Sequence, residues 1–273
     1  MQNPKNILIT GASSGIGRAL AISYSASGIN LFLCGRNLEK LQETRGLCEE
    51  LGAKVFLEIL DVADESAIKN WIEKIDVLDL VIANAGISAG TAGGSESFAQ
   101  VKKIFSTNLD GVLNVIHPAI EKMKIKKNKF PRDQIADQIA DQIADQIVGQ
   151  IALISSLAGM RGLPSSPAYS GSKAAVRVYG EGLRGNLAPF GIEVNVICPG
   201  YIKTPMTDVN DFPMPFLMSA EQCAKIIKRD LAKNKSRIAF PFPLYFLVWL
   251  AALLSTKITD PIFAKLPGKK ALE

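Results

Sequence analysis

Tyr169 and Lys173 stand four residues apart in the stretch YSGSKAAV, residues 169–176. Residues at that spacing share a face of an α-helix, so a phenol and an ammonium would look the same way one turn apart. Ser166 and Pro167 fit the start of such a helix, because serine caps it and proline tolerates its first position. A phenol titrates at about 10, too high for efficient proton transfer near neutrality, and a neighbouring cation favours its ionised form. The pair could therefore handle a proton, although taken alone such a pair is ordinarily a solvated helix edge. Its meaning depends on what the rest of the chain brings to it.

The elements that must carry the pair are readable as apolar runs of strand length alternating with helix-length amphipathic segments. NILIT is followed by a helix to about Ser27, NLFLC by a helix from about Asn37 to Leu51, and VFLEI by a helix over residues 64 to 75 before LDLVIAN. Two long helices between about Ser95 and Lys129, the strand QIALIS, a helix from Pro167 to about Pro189 and the strand EVNVIC complete the pattern. Such alternation predicts βαβ units, hence an α/β fold with a doubly wound, mainly parallel sheet covered on both faces. A single domain over residues 1–240 is expected, with an apolar appendage over 241–273.

TGASSGIG, residues 10–17, lies where the first strand must turn into the first helix. Gly11 permits the tight turn, Gly15 lets a pyrophosphate approach the backbone, and Gly17 allows close packing of the helix, whose free amides then face the anion. A glycine turn alone is weak evidence, but its place after the first strand of an alternating pattern points to a dinucleotide.

Composition excludes several other classes. The chain has 273 residues, 48% of them hydrophobic, enough to bury a core, and 31 basic residues against 26 acidic ones. Lysines crowd residues 122–129 and the C-terminal segment, yet the interleaved aromatic and arginine partners of a nucleic-acid groove are largely missing. Cys34, Cys48, Cys198 and Cys223 have no paired spacing and His117 is the one histidine, so neither a metal site nor a disulfide framework is expected. The start MQNPKNILIT runs straight into a strand, which reads as a protein of the cytoplasm rather than a secreted one.

Taken together, TGASSGIG, the NAG of residues 84–86, Asn108, Ser156, YSGSK and the PGYIKT of residues 199–204 resemble the short-chain dehydrogenase/reductase family, in the order and at roughly the spacing that family shows. The resemblance covers about the first 240 residues. It implies a Rossmann fold and a nicotinamide-dependent carbonyl reductase or alcohol dehydrogenase. Tyr169 would be the acid or base, Lys173 would favour its phenolate and hold the nicotinamide ribose, Ser156 would hydrogen-bond the substrate oxygen, and Asn108 would hold a water linking Lys173 to solvent. The resemblance also implies that Gly11, Ser13, Ser14, Gly15, Ile16 and Gly17 cradle the dinucleotide, with Asn84, Ala85, Gly86, Pro199 and Gly200 along it. Asp61 would accept from the adenine amine beside the Val62 backbone, while Ile202 and Thr204 would hold the carboxamide.

Which dinucleotide is used turns on the end of the second strand. Family members that use NAD tend to carry an acid there, whereas this chain has LFLCGRN, so Arg36 could fork a 2′-phosphate with Ser14 close by. NADP is favoured over NAD, although the second basic residue common in that turn is a serine here. A homo-oligomer is expected, acting on a small apolar carbonyl or alcohol; a 3-oxoacyl chain, a steroid-like ketone and a sphingoid ketone all stay open. The competing readings are a non-catalytic dinucleotide sensor and a membrane-surface scaffold on the same fold.

Two segments stand apart. DQIADQIADQIADQI, residues 133–147, is a four-residue tandem repeat where a short connection is usual, and reads as a surface insertion. IAFPFPLYFLVWLAALL, residues 238–254, is uncharged, but Pro241 and Pro243 leave about a dozen residues for a helix where a bilayer needs about 20. A last strand followed by a helix closing the cleft or a subunit interface is expected, with peripheral membrane contact as the alternative.

Overall fold

Apolar runs dictate the centre of the molecule. In β1 (Asn6–Thr10), β4 (Leu80–Ala83) and β5 (Gly149–Ile154) almost every residue is buried, so these strands need cover on both faces. A computed structural model, which describes residues 1, 3–128, 147–265 and 268–271, supplies that cover. The sheet is seven-stranded and parallel throughout, with β2 (Asn30–Gly35) and β3 (Lys54–Ile59) on one side, β6 (Ile192–Pro199) and β7 (Arg237–Phe240) on the other, in the order β3-β2-β1-β4-β5-β6-β7. The doubly wound α/β fold expected from the alternation is the one found.

Side chains leave successive strand residues on opposite faces, and the core divides accordingly. Ile7 and Ile9 of β1 pack with α1 (Gly15–Tyr24), α2 (Leu38–Glu50) and α8 (Ala220–Ala232). Leu8 between them packs with α3 (Glu65–Glu73), α5 (Gly111–Asn128) and α6 (Pro167–Leu187). The chain order reverses between β1 and β4, which opens a crevice at the carboxyl ends of the strands.

The two helices expected between Ser95 and Lys129 form one helical run. α4 (Phe98–Phe105) passes into α5 through a π-helical turn at Ser106–Asp110, so the polar STNLDG break is absorbed as one wide turn instead of a loop. Residues 133–146 of the DQIA repeat lie outside the described residues.

Beyond the sheet edge, β7 is the expected last strand, and α9 (Phe242–Leu253) is a helix of 12 residues delimited by the prolines. The expectation that this helix closes the cleft is corrected: α9 buries none of its residues, and Phe242, Leu247 and Leu253 are 72%, 58% and 64% exposed. Only Leu244 and Tyr245, at its start, pack against the body, because the helix leaves the last strand outward. α10 (Thr256–Phe263) follows. Among the described residues no helix is long and apolar enough to cross a membrane.

Candidate active site

Each strand of the crevice ends in a turn that carries one part of the site. After β1, Gly11 and Gly15 have φ of +65° and +55°, which side-chain-bearing residues avoid. Gly17 packs so closely that a Cβ there would lie 2.3 Å from the Gly11 carbonyl oxygen. Ser14 precedes α1 without capping it by its side chain, so the first amides of α1 point outward. Arg18 braces the turn from behind, donating to the Ser13 carbonyl at 2.8 Å and the Lys40 carbonyl at 3.0 Å.

Asn84, after β4, stitches this turn to the neighbouring strand end: its Nδ2 donates to the Thr10 carbonyl at 2.9 Å, and the amides of Asn84 and Ala85 both donate to Thr10 Oγ1. The backbone at Val62 is held by Asn114 Nδ2, which donates to its carbonyl at 2.9 Å. Asn114 was not among the residues picked out in the sequence, and an asparagine inside a helix carries no signal there that could have identified it.

At the β2 end, Arg36 is 57% exposed and its Nη1 lies 3.7 Å from Asp61 Oδ2; Lys103 reaches the same carboxylate at 3.9 Å. These loose, solvated pairs hold Arg36 weakly. Asn37 caps α2, and Lys40 in its first turn lines the same cleft as Arg36 and Ser14. Lys40 thus adds a second basic residue to this end of the cleft, from the helix that follows Arg36. The four-residue spacing from Arg36 was its only sequence signal.

On the β5 and α6 side, Ser156 leaves the strand end and accepts from the Ala158 amide at 3.1 Å. The Ser156 hydroxyl beside the Tyr169 phenol pulls that pKa down, whereas burial, the larger effect, pushes it up. Ser155, the neighbour in the sequence, instead donates to the Lys173 carbonyl at 2.7 Å and is committed to structure. Lys173 is 4% exposed, and its Nζ lies 6.0 Å from the Tyr169 ring centre and donates to the Ile154 carbonyl at 2.9 Å. Burial lowers its pKa from 10.5 to about 8.

Asn108 sits fully buried in the π-turn, with its Oδ1 accepting from the Ile87 amide at 2.8 Å and its Nδ2 donating to the Ile87 carbonyl at 2.9 Å and to Ser172 Oγ at 3.0 Å. It ties the loop after β4 to α6. Gly86 lies between: a Cβ there would meet Asn108 Oδ1 at 3.1 Å and Lys173 Nζ at 3.3 Å. After β6, Pro199 and Gly200 lead to Ile202, which bridges to Met218, and Thr204 caps the short α7 (Pro205–Asp208) together with Thr207. The segment after Tyr201 therefore carries its own helix and bridge. His117 hydrogen-bonds Tyr179 at 2.9 Å, away from this site.

All the residues singled out in the sequence line one cleft of roughly 370 Å³, apart from Gly17 and Asn108, which stand behind its wall. One end is basic, the middle is glycine-rich backbone, and the far end presents Ser156, Tyr169 and Lys173. Chemically, such a cleft can hold a long phosphorylated ligand with its far end against a buried phenol.

A model of the short chain dehydrogenase family matches residues 5–212. An uncharacterised oxidoreductase of Myxococcus xanthus is 32% identical over 260 residues, which is 94% of this chain and 95% of the relative. The 3-oxoacyl-(acyl-carrier-protein) reductase FabG of Rickettsia conorii is 32% identical over 204 residues, 75% of each chain. Among solved structures, a short chain dehydrogenase from Mycobacterium paratuberculosis bound to NAD superposes with a TM-score of 0.71 at 21% identity, covering 86% of this chain and 95% of that one. A family model that spans most of the chain, together with a relative matched nearly end to end, shows that the chain belongs to the short chain dehydrogenase family and is an oxidoreductase of the kind that uses a nicotinamide dinucleotide.

Proposed function

We propose that the protein is an NADP-dependent oxidoreductase that interconverts an apolar carbonyl compound and its secondary alcohol, with Tyr169 as the proton-transfer group. The observation that carries this reading is the convergence of Ser156, Tyr169 and Lys173 at one end of the cleft. The residues present fit a dinucleotide: left-handed glycines at the turn, outward amides of α1, and the space that Gly86 leaves beside Lys173. When bound, the reduced nicotinamide supplies the hydride that the carbonyl carbon accepts.

The chain's own residues handle the oxygen. The Ser156 hydroxyl orients it, and Tyr169 gives it the proton, so that carbonyl plus hydride plus proton becomes the alcohol. Burial opposes the phenolate that remains and the Ser156 hydroxyl favours it; the Lys173 ammonium, 6.0 Å from the ring centre, adds its charge on the favourable side. Arg36 and Lys40 support the choice of NADP, because both can face a 2′-phosphate from the cleft wall. Asp61 then serves the adenine, and Ile202 and Thr204 the carboxamide. We place the enzyme in the cytoplasm as a homo-oligomer, with α9 available for contact with a membrane surface.

The test is turnover of NADPH and NADH with a panel of ketones by wild type and Tyr169→Phe. The variant should bind the dinucleotide as wild type does and lose about 10²–10⁴-fold in turnover. Wild-type protein that binds neither dinucleotide, or a variant within a few-fold of wild type, would refute the reading.

A further inference from the structure

The C-terminal segment returns to the site after α9 and α10 have left it. The Gly90 amide donates to the Lys270 carbonyl at 2.6 Å and the Ala92 amide to the Lys269 carbonyl at 2.9 Å. Gly90 is required for this docking: a Cβ there would lie 2.4 Å from the Lys269 carbonyl oxygen and 2.5 Å from Lys269 Cβ. A second tie lies just upstream. Arg161, on the turn that follows Ser156, donates to Asp260 Oδ1 at 2.7 Å and Thr259 Oγ1 at 3.0 Å, and it stacks on Phe263. The segment is thus fastened to both loops that flank Tyr169.

This docking delivers a cation to the proton-transfer group. Lys269 Nζ donates to Ser88 Oγ at 2.7 Å and lies 5.7 Å from the Tyr169 ring centre. Lys269 is half-buried, and among the described residues its ammonium pairs with no carboxylate. Desolvation lowers its pKa from 10.5 to about 8, so at neutral pH it is charged and short of a counter-ion.

We infer that Lys269 is a specificity-determining residue of the substrate site, whose ammonium recognises an anionic group, carboxylate or phosphate, carried a few bonds from the carbonyl that Tyr169 serves. The inference rests on the role given to Tyr169 above and narrows the substrate to an amphipathic class: a carbonyl compound with an acidic head and an apolar remainder. An anion at Lys269 meets a donor that water solvates poorly, which is where a charged hydrogen bond is strong. The apolar remainder would face the segment after Tyr201, where Val209 and Phe216 are exposed.

The test compares kcat/KM for a neutral methyl ketone, an oxo acid of matched length and the corresponding oxo phosphate ester, in wild type and in K269M, K269R and K269E, with NADPH supplied in each case. In wild type the anionic compounds should be preferred, and the better of the two identifies the head group. In K269M the ratio of anionic to neutral kcat/KM should fall roughly ten- to a hundredfold, mainly through KM. K269R should restore part of it, and K269E should reverse the preference. Binding of the hydroxy acid in the presence of NADPH, with which it cannot react, followed by its stabilisation of the protein against heat, should weaken in parallel.

A second arm follows the pH dependence in wild type and K269M. The ratio should fall as pH rises through about 8, because Lys269 loses its proton there. Lys173, whose pKa burial also lowers to about 8, Tyr169 and Glu96 are the other ionisable groups around this space, and any part of the fall that survives in K269M belongs to them. An unchanged ratio in K269M, or a wild-type ratio flat from pH 7 to pH 10, overturns the inference. Absence of turnover with every ketone would instead overturn the role of Tyr169.

Discussion

Replacing Lys173 with methionine should make the protein more stable while removing its activity. Lys173 is 4% exposed, and burial holds its pKa at about 8 against 10.5 for a free side chain. That difference amounts to about 3 kcal/mol by which the charged side chain disfavours the native state. The ammonium recovers part of this through its hydrogen bond to the Ile154 carbonyl, about 1 kcal/mol net. Methionine keeps the apolar stem without the charge, so the variant should be more stable than wild type by about 2 kcal/mol at pH 7. For a chain of this size that is on the order of 4–8 °C in Tm. The folded-state pKa lies below the unfolded one, so the penalty is fully present below about 8 and disappears as pH rises from about 8 towards 10.5. Urea unfolding of both proteins between pH 6 and 10 measures the gap, and subtraction removes the cysteines and tyrosines common to both. The gap should be constant up to about pH 8 and then close. A variant less stable than wild type at pH 7, or a gap independent of pH, would show that Lys173 is not held against its preferred charge state.

Arg36→Asp should invert the dinucleotide preference, since a charged hydrogen bond to the 2′-phosphate is worth roughly ten- to a hundredfold in affinity and the new carboxylate would repel it. Dissociation constants for NADPH and NADH decide this, and equal wild-type values would remove the phosphate site. Lys40→Glu should weaken NADPH in the same direction by less, because an ammonium is a point charge without the two-pronged hydrogen bonding of the Arg36 guanidinium. The apolar face of α9 should pellet the protein with anionic vesicles, and the double substitution Leu247→Glu, Leu250→Glu should abolish it. If the same substitutions leave vesicle binding untouched but split a dimer on a sizing column, a second copy covers the helix.

The nucleotide end of the cleft was legible because each part is local. A glycine at positive φ, a strand end and a helix start lie within eight residues, and so do Arg36 and the end of β2. The pairing of Tyr169 with Lys173 was legible for the same reason, as a helix spacing. What stayed hidden involves contacts across long stretches of chain: Asn114 under Val62, and Lys269 beside Ser88 and Tyr169. Lys40 escaped because it stands on the helix after β2 and not in the glycine turn. The cover of α9, cleft or subunit interface, stayed unread for a different reason. Apolar composition says that a surface avoids water but not which surface covers it, and within this chain only Leu244 and Tyr245 at its start pack against the body among the described residues.

The π-turn at Ser106–Asp110 also bears on which insertions and deletions the gene can accept. A regular helix advances about 100° per residue, and this wide turn accommodates one residue more than the regular ladder would. Deleting one residue between 106 and 110 would restore an ordinary helix, a locally favourable change. Yet it would rotate Val112, Val115 and Ile116 against Asn108 by about 100°, so the buried face of α5 and the asparagine that braces α6 could no longer both point inward. A single lost codon there should therefore leave either a folded helix without its brace or a brace without its core.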